Sequence, residues 1–323
     1  AGLPETCGLQ AASSSLSQSF GAAAGALRAA ASAVYVCGGF DGREALSSAE
    51  RFEPAVGVWE ALPPLGQGRY YAAAALLAGH LYVCGGSDAQ QALRSVERFN
   101  PAVGAWQGLP DMAQARFAAS AAAVAGRLYV TGGSDRQQAV KSAERFDPVL
   151  GAWETLPSLA EARYASATAV IGGQLHVCGG CDTTRALSSA ERFDPATGVW
   201  EGWEALPPMA QGRSSAASAV IAGCFYVCGG SDRQRALSSA ELFDPAAGAW
   251  RGLRPLAEGR YAAATAVVAG RLYVCGGADT AKQALRSMER FDPSSESWET
   301  LQAPAQARYA AAATAVEGRL YVC

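Results

Sequence analysis

Two histidines, two lysines and a single asparagine occur among 323 residues, and each scarcity closes off a class of chemistry. His80 and His176 lie far apart in the chain, so a His-based metal centre or a Ser-His-Asp triad has few possible members. Asn100 is followed by Pro101, so the sequence has no N-glycosylation sequon. Charged residues make up only 17% and the net charge is -3, which gives no global attraction to nucleic acid or to an anionic membrane. The apolar stretches are broken by Gly, Arg or Asp before a membrane-spanning length accumulates. P-loop, nucleophile-elbow and HExxH patterns are missing as well. The sequence therefore predicts no catalytic residue, no cofactor and no metal. It predicts a protein or peptide partner, with nucleic acid and membrane excluded.

What the chain has in abundance is a repeat. Gly-Gly doublets fall at Gly38-Gly39, Gly85-Gly86, Gly132-Gly133, Gly179-Gly180, Gly229-Gly230 and Gly276-Gly277. Each is answered by a tryptophan at a near-constant distance, namely Trp59, Trp106, Trp153, Trp200, Trp250 and Trp298. A period in this range means a solenoid, propeller or array. Six similar units most simply make one closed body, overriding the two domains that length alone suggests.

Six of the nine cysteines follow the same period. Cys37, Cys84, Cys178, Cys228, Cys275 and Cys323 each end a Tyr-Val-Cys or His-Val-Cys run, and equivalent positions of successive units lie too far apart to pair. They read as buried free thiols, which suits a reducing, cytoplasmic setting. Cys178-Gly-Gly-Cys181 matches a redox or zinc CxxC, but Cys178 and both glycines belong to the ordinary repeat, and only Cys181 departs from it.

The third unit shows the pattern. Residues 117–124 (FAASAAAV) precede Ala125-Gly126, then 127–131 (RLYVT), the doublet and a polar loop, 141–146 (KSAERF), Asp147-Pro148, and 152–156 (AWETL). Four short segments with Gly and Pro punctuation argue for strands. The alanine-rich first segment has helical propensity, yet it is short and bounded by breakers, and strands crowded around an axis need small side chains. Four antiparallel strands in each of six units describe an all-β, six-bladed propeller. The doublet, the Glu-Arg-Phe-Asp-Pro segment (residues 191–195) and the spaced Trp resemble the kelch repeat over residues 31–323. That resemblance implies a kelch propeller acting as a protein-binding module, of the kind that serves as substrate receptor in ubiquitin ligases when joined to a BTB domain; these residues include no BTB segment. Galactose oxidase and sialic acid mutarotase use related propellers, so a propeller enzyme is the alternative.

The ends of the array set a puzzle. Residues 309–316 (YAAAATAV) are a good copy of the inner strand and are expected to complete the first blade, leaving residues 1–30 as a low-complexity leader. Residues 320–323 (LYVC), however, repeat the second strand that 34–37 already supplies, so seven blades remain an alternative.

Two sets of loops are expected on one rim. One set carries an Arg in every unit, Arg69, Arg116, Arg163, Arg213, Arg260 and Arg308, followed by Tyr70, Phe117, Tyr164, Ser214, Tyr261 and Tyr309. Six guanidinium groups beside aromatic rings would suit an acidic peptide, because Arg binds carboxylate bidentately and stacks on rings. A residue constant in every unit also fits a role within the blade, with Glu50, Glu97, Glu144, Glu191, Glu241 and Glu289 as partners. Specific recognition belongs where the units disagree: Phe40, Arg43, Arg136, Arg185, Arg233, Arg235 and Lys282. The extra Trp203, outside the repeat register, is expected to be a second contact or a bulge.

Overall fold

The computed structural model describes residues 33–323 except 42, 55, 196–202, 305, 312, 317 and 323, so the leader and Trp200 lie outside the described residues. The chain forms a six-bladed, mainly four-stranded antiparallel β-propeller. The third blade comprises Ser120–Val124, Arg127–Thr131, Ala143–Asp147 and Ala152–Leu156, paired in sequence order. The alanine tracts are extended. In the second blade Ala73–Leu77 alternates buried and half-buried side chains, so Ala73, Ala75 and Leu77 pack between blades. Successive inner strands approach one another closely at the hub, where larger groups would not fit, and that tertiary constraint overrides helical propensity.

Turn chemistry follows the sequence signals. Ala125 and Gly126 both have positive φ, 48° and 74°, the conformation a two-residue hairpin needs to match strand twist. At the doublet, a Cβ on Gly132 would lie 2.3 Å from the carbonyl oxygen of Arg163, so only glycine lets the next connection come this close.

Blades pack by rings. Tyr82 meets Phe146 of the next blade at 6.2 Å, and Tyr129 meets Phe193 at 6.0 Å, while His176 takes the tyrosine's place against Phe243 at 6.1 Å. Burial holds the His176 imidazole below its ordinary pKa, as suits a core residue. Trp106, Trp153, Trp250 and Trp298 are half-buried clamps, whereas Trp59 is exposed: Trp153 lies on Phe146 of its own blade and donates its indole N–H to Pro110 O, 2.8 Å away, before the blade. In the fourth unit the expected assignment changes. Trp203 packs on Phe193 and donates to Pro157 O, so it takes the repeat's tryptophan position and is neither a bulge nor an added contact. The three extra residues of this unit therefore precede Trp203 in the sequence.

The cysteine slot is buried, and burial pushes the thiols of Cys84, Cys178 and Cys228 up to about 12. In the third blade the slot holds Thr131, fully buried with its hydroxyl unpaired. An unsatisfied buried hydroxyl costs on the order of 1–3 kcal/mol. Thr131→Val is therefore expected to raise unfolding free energy by about 1 kcal/mol in a denaturant titration, and a loss would show that the hydroxyl has a partner.

Ring closure departs from expectation. The strand Ala313–Val316 pairs with Arg319–Val322 as a two-stranded hairpin, and the first blade keeps only Val34–Cys37, Ala49–Glu53 and Val58–Leu62. The hairpin packs Tyr321 on Phe52 at 5.2 Å, the same contact that each of the first five blades makes with its successor. Its local turn links adjacent residues, whereas closing the first blade joins strands almost 280 residues apart, and short connections are cheaper in chain entropy.

The candidate functional site on the loop face

The two sets of loops do share one face. Tyr70 bridges Ser87, Phe117 bridges Ser134, and Tyr164 bridges Cys181, each joining the entry to an inner strand with the residue after the doublet. Around the axis below them the main chain forms a relay, with Ala310 N–H donating to Ala262 O, Ala262 to Ser215, Ser215 to Ala165, Ala165 to Ala118 and Ala118 to Tyr71. These bonds use no side chain, so the positions beside them are free to vary.

Five of the six repeated arginines point inward. Arg69, Arg116, Arg163, Arg213 and Arg260 are at most 1% exposed, and each meets the glutamate of its own unit, Glu97, Glu144, Glu191, Glu241 or Glu289, at 2.6–2.7 Å. Arg116 also donates to Gly132 O, Ser142 O and Ser142 Oγ, while Glu144 accepts the Ala113 N–H. Burial lowers the Arg116 pKa and the Glu144 carboxylate opposes that shift. These guanidinium groups lock the doublet loop to the preceding connection and present nothing to a partner. The sequence expectation of five such contacts is corrected accordingly: the terminal guanidinium nitrogens already have protein acceptors, and the remaining Nε is buried away from any ligand. Arg308 differs, donating to Val322 O with no carboxylate partner among the described residues.

The variable residues divide in two. Arg136 reaches back to Ser87 Oγ and Ala89 O, and Arg233 to Thr183 O and Cys181 Sγ, so both staple one blade's loop to that of the blade before. Arg43, Arg185, Arg235 and Lys282 face solvent. The side chains of Arg185 and Arg235 are each 68% exposed, held loosely by Asp182 with Glu161 and by Asp232. The loop aspartates mainly serve their own turns. Backbone amides of Glu44 and Arg43 hold the Asp41 carboxyl below its usual range, and Asp135 accepts from Gln137 and Gln138.

Aromatic rings form a continuous arc on this face. Phe40, Tyr70, Tyr71, Phe117 and Tyr164 follow one another with centroids 4.6–6.4 Å apart, and Tyr261 lies half-buried farther round. Tyr71 was not singled out from the sequence. The signal was there: the corresponding positions are Ala118, Ala165, Ser215, Ala262 and Ala310, and only the second unit places a ring in this slot. Burial raises its phenol pKa, with the neighbouring tyrosines adding to the shift, and Tyr70, Tyr71 and Tyr309 line one opening. A pocket of about 580 Å3 opens beside them between Phe40, Tyr70, Tyr71, Arg308 and Tyr309.

Cys178 and Cys181 are both buried, and among the described residues no group of three or more His, Cys, Asp or Glu could hold a metal. Among those residues no helix is long and apolar enough to cross a membrane.

The model of one family, the KLHDC2/KLHL20/DRC7 kelch-repeats domain, matches residues 26–230 and 120–323. No curated protein matches the chain. Among solved structures it is similar to YjhT, with a TM-score of 0.67 and 16% identity over 84% of this chain and 95% of that one, a likeness of fold. With the family matched across most of its length and the repeated blades in place, the chain belongs to the kelch-repeat family.

Proposed function

We propose that this propeller binds an acidic peptide or partner loop across the loop face, where Phe40, Tyr70, Tyr261 and Tyr309 supply apolar contact and Arg43, Arg185, Arg235 and Lys282 supply charge. Kelch membership and the propeller fold support a protein-interaction or adaptor role, consistent with a non-enzymatic module. The observation that carries the finer reading is the arc of rings, from exposed Phe40 to half-buried Tyr70 and Tyr71, on the face whose loops also carry the solvent-exposed side chains of Arg185 and Arg235. Tyr and Arg are the side chains that most often anchor an interface. The propeller-enzyme alternative finds little support, because His176 is buried in the core and His80 is tied to the Ala78 carbonyl of its own turn.

The test is a peptide array probed with the wild-type chain and with Arg185→Glu/Arg235→Glu. Both positions are on the surface, so thermal unfolding should hardly move. Binding to acidic peptides is expected to fall at least about tenfold, and to weaken with salt in the wild type. Equal binding of both proteins, or of acidic peptides and their Gln/Asn counterparts, would remove the reading.

A further inference from the structure

We infer that Ala313–Val316 is an exchangeable closing strand, which can leave Arg319–Val322 and complete the first blade on the open edge of Val34–Cys37. Three interactions made within the other blades are each split into two unpaired halves, and every half sits at this seam. The first is the strand itself. Among the described residues Val34–Cys37 pairs only with Ala49–Glu53, whereas every other second strand is paired on both sides or belongs to the hairpin. The second is the loop bridge. Phe40 follows its doublet as Ser87 does, but bridges only Ala45, while Tyr309 stands where Tyr70 and Tyr261 stand and has no bridge among the described residues. Phe40 and Tyr309 are 48% and 51% exposed and line opposite sides of one pocket. The third is the ion pair. Among the described residues Arg308 has no carboxylate, and Glu50, alone among the six repeated glutamates, is exposed and without a guanidinium.

The two acceptor strands are nearly the same chemically, VYVC at 34–37 and LYVC at 320–323, so one inner strand has two similar edges to pair with. Pairing in the second arrangement follows the other blades. Leu76 opposes Leu81 and Ala75 opposes Tyr82 in the second blade, so Ala315 would oppose Val34 and Thr314 would oppose Tyr35. Tyr309 then bridges Phe40, Arg308 meets Glu50, and the 580 Å3 pocket closes. Near-equal pairings of one strand are the condition for two populated states, with the minor one at about 0.1–10%. The exchange stands whether or not the loop face binds an acidic peptide.

Two cysteine pairs in the full chain test it, with oxidised glutathione as the oxidant and peptide mass spectrometry as the readout. Ala315→Cys with Leu320→Cys traps the hairpin, where the two residues are opposite one another. Ala315→Cys with Val34→Cys traps the completed blade. Disulfide capture accumulates even a minor arrangement, and the buried native thiols, pushed to about 12, oxidise slowly. Both disulfides are expected within monomers, and adding Glu50→Gln should lower the yield of the 34–315 link severalfold while leaving the 315–320 link unchanged. Formation of the 315–320 link alone, or a 34–315 link found only between two chains, would overturn the inference. Should the Val34→Cys variant fail to fold, the next opposed pair decides: Thr314→Cys with Tyr35→Cys traps the completed blade and Thr314→Cys with Tyr321→Cys the hairpin, and absence of the 35–314 link within monomers overturns the inference.

Discussion

Arg163→Met is expected to lower unfolding free energy by about 3–5 kcal/mol, because it leaves the Glu191 carboxylate buried without its counter-charge. The guanidinium holds more than that one partner. It donates to Gly179 O, Ser189 O and Ser189 Oγ, so the loop after the doublet loses its anchor in the same step. Removing both charges is a different experiment. Arg163→Met/Glu191→Leu replaces a buried pair by apolar groups of similar size, and such replacements are often nearly neutral. The double variant should therefore recover most of the loss, with the residual cost set by the Ala160 N–H that Glu191 now satisfies and by the Gly179 and Ser189 acceptors left without Arg163. Urea titration of the three proteins checks this, and a single-variant loss below about 1 kcal/mol would show that the pair is solvated.

Gly132→Ala is expected to cost at least about 2 kcal/mol, from left-handed strain of about 1–2 kcal/mol together with a clash that the backbone must relieve. Conformation alone does not account for it. Ala125 and Ala222 hold φ near 50° in their hairpin turns, so this fold tolerates alanine there. What sets Gly132 apart is the Arg163 carbonyl 2.3 Å from the position of its Cβ, while Gly151 at φ 65° has nothing within 4 Å. Gly151→Ala is the matched control and should cost about 1 kcal/mol. Equal losses for the two would mean that the close approach at the doublet is dispensable.

The comparison shows why some features could be read from the chain and others could not. Strand positions and the propeller were legible because Gly, Pro and alternating apolar residues act locally, and the third blade falls within three residues of the segments expected for it. The repeated arginines were ambiguous for a physical reason. Periodicity reports that a residue is needed in every unit but not which way its side chain points, and only burial beside Glu191 or Glu144 decides that. Trp203 was misassigned because counting from the doublet assumes a constant loop length, whereas the strand register puts Arg192 opposite Glu204. Closure was the hardest feature. Residues 34–37 and 320–323 carry nearly the same letters, so pattern alone cannot choose between them.

The Arg–Glu lock joins residues of one unit rather than of neighbouring units, since Arg69 and Glu97 both belong to the second blade. Five of the six blades thus carry their own fastening, and contact between blades is left to rings, main chain and the Arg136 and Arg233 staples. A mutation in one unit's recognition loop consequently leaves the fastenings of the others untouched. The architecture separates what must stay constant from what may diversify, so new specificities can be assembled blade by blade on an unaltered frame.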